Sequence, residues 1–227
     1  MDWFKQPWGI QAGFGLAFLL IVVAFLYIRN QHIRIKKLQA EVESWLVDPL
    51  TGLLSRRRVM DIYYWLFDQV YAALYNTDEE RRGDDAAWKN LAVVMFDLDH
   101  SRKILAERDQ EAVNDVVNKF GKLLKDEIRN ADLAGRYGDD EFIVLLSTNL
   151  DGARAFTTRV RLNFKKFRFY HKSKPFSVTV SCGLTVIDQD ADRDTFVERA
   201  ISALKVAKSN GRDQIAVWGR ERTEIVI

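Results

Sequence analysis

Between Leu133 and Leu146 the chain reads as two apolar, β-prone runs joined by a turn that carries three acids in a row. Leu133-Ala134-Gly135-Arg136-Tyr137 leads in, Gly138-Asp139-Asp140-Glu141 turns, and Phe142-Ile143-Val144-Leu145-Leu146 leads away. Glycine followed by aspartate between such runs is a hairpin signal, of the kind that uses positive backbone φ. Adjacent carboxylates at the tip repel: two unit charges roughly 4 Å apart cost about 4 kcal/mol at an effective dielectric of 20. A cation or a basic partner is therefore expected to hold them. Taken alone, an acidic turn is also compatible with an ordinary solvated hairpin.

The amino-terminal segment is different in kind. Residues 10–28 are apolar except for Gln11, and as a helix they span roughly 28 Å, the thickness of a bilayer's hydrocarbon core. Trp3 and Trp8 at one end and Tyr27 at the other suit the interfacial aromatic belt. Arg29, Arg34, Lys36 and Lys37 follow the segment, whereas only Lys5 precedes it. That asymmetry places the carboxy-terminal bulk in the cytoplasm and argues against a cleaved signal peptide. The expected organisation is a short extracytoplasmic terminus (1–9), a single transmembrane helix (10–28), a helical linker (29–47) and a globular domain (48–227). In the linker, Ile35, Leu38, Val42 and Trp45 draw one apolar stripe, a short coiled-coil signal between two copies.

A chain of 227 residues has room for one domain of ordinary size beside this appendage. Net charge of +2 is too small to mark a nucleic-acid binder. One cysteine, Cys182 in an apolar run, cannot form an internal disulfide and reads as structural. Downstream of the linker, hydrophobic periodicity predicts a helix over 59–75, a polar loop over 76–85, and a strand over 91–96 ending at Asp97. Next come a helix over 109–129, the hairpin, a helix over 151–170, a strand over 176–187, a helix over 193–209 and a last strand over 214–218. That order predicts an α/β fold, an α+β sandwich with a mostly antiparallel sheet and helices packed against it.

Six motifs in register identify a family. Gly138-Asp139-Asp140-Glu141-Phe142 resembles the signature of the GGDEF domain, the diguanylate cyclase family, with Asp139 in the place of the second glycine. Asp48-Pro49-Leu50-Thr51-Gly52-Leu53 with Arg56-Arg57 is similar to the family's opening motif, with Ser55 where Asn is usual. Val94 to His100 resembles its first metal strand, and Arg136-Tyr137 stand ahead of the hairpin acids as in the family. Val178 to Gly183 resembles the late core strand, and Ala207-Lys208-Ser209-Asn210-Gly211-Arg212 the closing motif. The resemblance covers about three quarters of the chain and implies a polymerase-palm, nucleotidyl-cyclase-like fold.

It also implies chemistry. The family joins two GTP molecules, one held by each half of a homodimer, into cyclic di-GMP, a reaction that uses divalent cations such as Mg²⁺. By this resemblance the metal ligands fall on Asp97 and on Glu141 or Asp140, with the Leu98 carbonyl as a backbone donor. Glu141 takes the catalytic or second-metal position, while Lys208 and Arg212 match the triphosphate clamps. Three positions depart from the pattern. Asp139 adds volume and charge where bare backbone meets phosphate. Leu105 stands where the family has a guanine-contacting Asn and offers no hydrogen bond. Asn114 replaces a guanine-binding Asp and keeps a nucleotide contact without the charge. Ser101 replaces a usual Phe. A degenerate active site is expected.

A second site looks intact. Arg129-Asn130-Ala131-Asp132 sets an R-x-x-D six residues before Gly138, the spacing of the family's cyclic di-GMP-binding inhibitory site. Arg129 would grip a guanine edge or phosphate, Asp132 would accept from the base, and Arg159 would support them from the next helix. An ion pair between Arg129 and Asp132, worth under about 1 kcal/mol, is the alternative. From Arg154 to Lys174 the segment is basic with interleaved phenylalanines, a solvated face, an anionic-dinucleotide surface or an inner-leaflet surface. The expectation is a single-pass bacterial inner-membrane protein whose degenerate domain binds cyclic di-GMP and relays that state to a protein partner. An active cyclase using GTP and a docking scaffold are the rivals.

Overall fold

The computed structural model describes residues 7–75, 90–219 and 223–226. Its centre is Ala92–Leu98 (β1), a strand buried along its whole length. An apolar run with no polar alternation has to be covered on both faces, and here it is. Leu133–Arg136 (β2), Glu141–Leu146 (β3), Val180–Val186 (β6), Ile215–Val217 (β7) and Glu224–Val226 (β8) complete a six-stranded sheet of order β2-β3-β1-β6-β7-β8. All pairs are antiparallel except β6 with β7.

Alternate side chains of β1 enter two cores. Ala92, Val94, Phe96 and Leu98 face Gln110–Glu127 (α4) and Leu150–Lys165 (α5), where Phe96, Phe120, Phe142, Phe156 and Phe164 meet largely edge to face. Val93 and Met95 face Arg56–Tyr75 (α2) and Phe196–Ser209 (α6), through Tyr63, Phe67, Phe196, Ala200 and Leu204. The result is the expected α+β sandwich.

Four local expectations are corrected. The helix read as continuing to Tyr170 stops at Lys165, and Phe169–His171 (β4) pairs with Lys174–Phe176 (β5) as a separate hairpin. The strand read from Phe176 is thereby split, its sheet portion starting at Val180. Ser101–Glu107 (α3) forms a short helix where only a motif was read, and β8 was not foreseen. The acidic hairpin forms as read, but among the described residues neither Gly138 nor Asp139 has positive φ. Its turn spans 137–140, and Tyr137 and Gly138 both donate to the Glu141 carbonyl instead. The polar loop over 76–85 lies outside the described residues.

The amino-terminal unit, residues 1–44, is described separately from the unit beginning at Trp45. Pro7–Leu46 (α1) is one uninterrupted helix. Among the described residues, Phe18–Lys37 is long and apolar enough to cross a membrane. This window lies further along than the 10–28 segment read from sequence, because side chains before Phe18 are outside the described set. Phe18, Leu20, Ile21, Phe25 and Ile28 are exposed along it. Of the coiled-coil stripe, Ile35 and Trp45 are exposed, while the Leu38 and Val42 side chains are not described.

Candidate functional site

The site is assembled where β1 ends. Sheet register sets Asp97 opposite Glu141 on one side and Ser181 on the other. A cavity of about 760 Å³ opens there, lined among others by Asp97, Leu98, Asp140, Glu141, Lys208 and Arg212. Six positions assigned from sequence to metal and triphosphate binding thus share one wall. Asp97 is buried, and Lys208 reaches from the last turn of α6 to place its Nζ 2.5 Å from the Asp97 Oδ2. Burial pushes the Asp97 carboxyl up to about 6, against the pull of Lys208. Lys208 is therefore no mere charged helix end. Among the described residues, no three histidine, cysteine or carboxylate side chains are gathered closely enough to hold a metal ion.

The next aspartate, just past the end of β1, has a different job. Asp99 accepts from the Ser181 and Thr179 hydroxyls, each at 2.7 Å, and from the Asp213 amide at 3.1 Å. Arg161, buried on α5, donates to the Asp213 carbonyl and carboxylate at 2.6 and 2.8 Å. Arg212 and Asp213 both sit in the left-handed region. This buried network fixes that turn and with it the backbone that carries Arg212 to the cavity.

The acidic turn is steadied through its carbonyls. Arg136 donates to the Gly138 carbonyl at 3.1 Å and the Asp139 carbonyl at 2.8 Å, and forms an ion pair with Asp48 at 3.0 Å. Asp48 in turn accepts from the Thr51 amide and hydroxyl. Burial raises the Asp48 carboxyl, but these hydrogen bonds and the Arg136 charge outweigh it and hold it below the ordinary aspartate range. The opening motif is therefore a bracket for the hairpin, which its composition did not reveal. Replacing Arg136 and Asp48 by alanine, singly and together, is expected to show a coupling of at least about 1 kcal/mol in denaturant unfolding.

Asp140 accepts a short hydrogen bond from the Ser101 hydroxyl at the start of α3. Ser101 is thus a site residue that sequence reasoning left unassigned. A Cβ at Gly138 would stand 2.8 Å from the Glu141 Oε2, which that flexible side chain can relieve by turning aside.

A neighbouring cavity of about 310 Å³ gathers Leu105, Asn114, Gln110, Arg102 and Asp139. Leu105 is 45% exposed and offers only methyl groups to it. The Asn114 Oδ1 accepts from the Gln110 side chain at 3.0 Å.

On the far edge of the domain a third hollow, of about 100 Å³, is lined by Arg129, Asp132 and Arg159 together with Glu127 and Phe156. The local ion pair does not form here. Asp132 accepts instead from the backbone amides of Arg129, at 3.1 Å, and Ser147, at 3.2 Å. Among the described residues the Arg129 guanidinium meets no carboxylate. Arg159 donates to Glu127 at 2.5 Å, and that hydrogen bond holds the Glu127 carboxyl below its usual range.

Residues 45–214 match the family model described as "Diguanylate cyclase, GGDEF domain". The chain belongs to the GGDEF family. It is 33% identical over 169 residues to diguanylate cyclase A of Treponema denticola, covering 74% of this chain and 44% of that protein. It is 31% identical over 181 residues to diguanylate cyclase DgcP of Pseudomonas aeruginosa, covering 79% of this chain and 25% of that protein. The chain therefore spans less than half the length of these curated relatives. Among solved structures, diguanylate cyclase SiaD of P. aeruginosa, crystallised with its activator SiaC, aligns at a TM-score of 0.65 and 25% identity over 94% of this chain and 77% of that one. The coiled coil and GGDEF domain of DgcB from Caulobacter crescentus, crystallised with c-di-GMP, aligns at 0.68 and 18% identity over 88% and 98%, which supports the fold. The GGDEF fold expected from the motifs is the one observed.

Proposed function

We propose that this protein is a membrane-anchored GGDEF signalling protein that binds cyclic di-GMP at the Arg129–Asp132–Arg159 hollow, turns over little or no GTP, and passes its ligand state to a protein partner. The observation that carries the reading is the contrast between two sites. At the hollow, three side chains from the turn between α4 and β2 and from α5 converge, and the Arg129 fork of donors is available to an anion or a guanine edge. Its size suits the edge of one purine, with the rest of the ligand lying on the surface. At the base-side cavity, exposed Leu105 replaces a hydrogen-bonding partner, and a nucleobase polar edge left unpaired there costs about 1–3 kcal/mol.

The cation site reads as weakened. Asp97, Asp140, Glu141 and the Leu98 carbonyl are oxygen donors of the kind Mg²⁺ takes. Bound there, the ion would neutralise triphosphate charge and make the attacking hydroxyl more acidic. The donors are not drawn together, however, and Asp97 is already neutralised by Lys208. Asp139 adds a further negative charge to the wall that a triphosphate would face.

An active cyclase is the second reading, favoured by one observation: Asp139 sits in an ordinary backbone conformation, so loss of the signature glycine does not strain the turn. Titration of the protein with cyclic di-GMP decides the first reading. Arg129→Ala is expected to weaken binding at least tenfold, and absence of binding to the wild type would leave the scaffold role. Incubation with GTP and Mg²⁺ decides the second: cyclic di-GMP formed at many turnovers per protein overturns the low-turnover claim. Dimerisation through the linker and the inner-membrane location belong to the same proposal, supported by the apolar helix and by the basic residues that follow residue 28.

A further inference from the structure

From Gly152 to Ile187 the chain has no acidic residue and eight basic ones. The structure divides those cations into two groups. Arg154 pairs with Glu224, Arg159 with Glu127, and Arg161 and Lys165 with Asp213. These four are neutralised within the domain. Lys166 bonds the neutral Asn163 amide and Arg168 the Ser177 hydroxyl. Lys166 also feels the Glu127 charge, whereas Arg168, Lys172 and Lys174 meet no carboxylate among the described residues. All four are exposed, and all lie on or beside the β4–β5 hairpin.

The hairpin is two-faced. Phe169 and Phe176 pair across the strands on the inner side, where Phe169 is fully buried in the α4–α5 core. His171 is tied to Asp109, the N-cap of α4, at 3.5 Å. Tyr170 pairs with Pro175 on the outer side, and Tyr170 is 66% exposed. A two-residue turn with Lys172 and Ser173 both at positive φ closes the strands tightly. The outward face is therefore an aromatic ring beside a proline, on a hairpin that also exposes Arg168, Lys172 and, from the alternate register position, Lys174.

The geometry points to this hairpin as a docking surface for anionic lipid headgroups. Tyrosine suits the headgroup layer because its ring is apolar and its hydroxyl wet. Lysine and arginine lay their stems along the apolar patch and hold their charges toward phosphate. Each basic residue near an anionic bilayer strengthens attachment by about fivefold, so three act together even where each is weak. A bilayer is also the one anionic surface that this chain's own apolar helix would bring close. To that extent the inference rests on the anchoring reading.

The test uses the full chain with Ser173→Cys at the turn, labelled with an environment-sensitive fluorophore. Cys182 is fully buried, and burial pushes its thiol well above the usual range, so labelling is confined to the turn. The protein is reconstituted into nanodiscs of phosphatidylcholine alone or with one third phosphatidylglycerol. Emission is expected to shift to shorter wavelength only with the anionic lipid. The shift should be lost at high salt and in the Lys172→Glu/Lys174→Glu background. Equal emission in both lipids overturns the proposal, as does a shift that survives charge reversal. Co-elution with the discs reads anchoring independently. If the chain fails to co-elute, added anionic vesicles still decide the hairpin by the same shift.

Discussion

Gly183→Ala is expected to destabilise the GGDEF domain by about 3 kcal/mol or more. Local propensity predicts the opposite sign, because alanine in a strand gains roughly 0.5–1 kcal/mol over glycine. Packing decides against it. A Cβ at Gly183 would stand 2.1 Å from the Ala200 carbonyl oxygen and 2.2 Å from the Leu204 amide nitrogen, both backbone atoms of α6. No rotamer relieves such a contact, so the helix has to move off the sheet, and overpacking that shifts side chains and backbone typically costs about 1–3 kcal/mol, occasionally more. Ala200→Gly is not expected to rescue it, since the obstructing atom is a carbonyl. Urea unfolding in detergent would measure the loss, and maleimide labelling of buried Cys182 in native buffer should accelerate in parallel. An unchanged unfolding midpoint would mean that α6 and β6 are further apart than described.

Asp97→Asn should stabilise the protein above pH 6, by roughly 2–3 kcal/mol near pH 8. The folded Asp97 carboxyl titrates at about 6, against an ordinary value of 3.8, because burial penalises its charge. The folded state therefore binds this proton more readily than the unfolded chain. Its contribution to stability is fully present below about pH 3.8 and is lost as pH rises through 6. Asparagine carries no such charge, so the gap between variant and wild type should widen from pH 4 to pH 8. Lys208, one third exposed, can turn its ammonium to solvent once its partner is gone. A variant less stable than wild type at pH 8 would show that the Lys208 ion pair outweighs desolvation. The expected result marks Asp97 as retained for a task other than stability.

Much of this architecture was legible because its signals are local and strong. The apolar run ending at Asp97, the apolar face of α4 and the hairpin of β2 and β3 each announce themselves within a dozen residues. The β4–β5 hairpin did not, because Lys172-Ser173 carry none of the Asn-Gly character that usually marks such a turn, and the phenylalanines around it recur at near-helical spacing. At the site, the family resemblance pointed to Asp97, Asp140, Glu141, Lys208 and Arg212, and the fold gathers these five around one cavity. The resemblance missed Ser101, whose hydroxyl matters only because α3 brings it to Asp140. Nor could it say whether the Asp139 position needs positive φ, which is a property of the folded turn. The partition of the basic segment was illegible for a related reason: its neutralising acids, Glu127, Asp213 and Glu224, come from elsewhere in the chain.

The bracket at Asp48 has a mechanical consequence. Val47 bridges Leu54, Leu54 bridges Gly135, and Asp48 holds the guanidinium that in turn holds the turn carbonyls. A shift of the backbone at Val47 would thus reach the turn bearing Asp139 and Asp140 by two routes, the bridges through Leu54 to Gly135 and the Asp48–Arg136 ion pair.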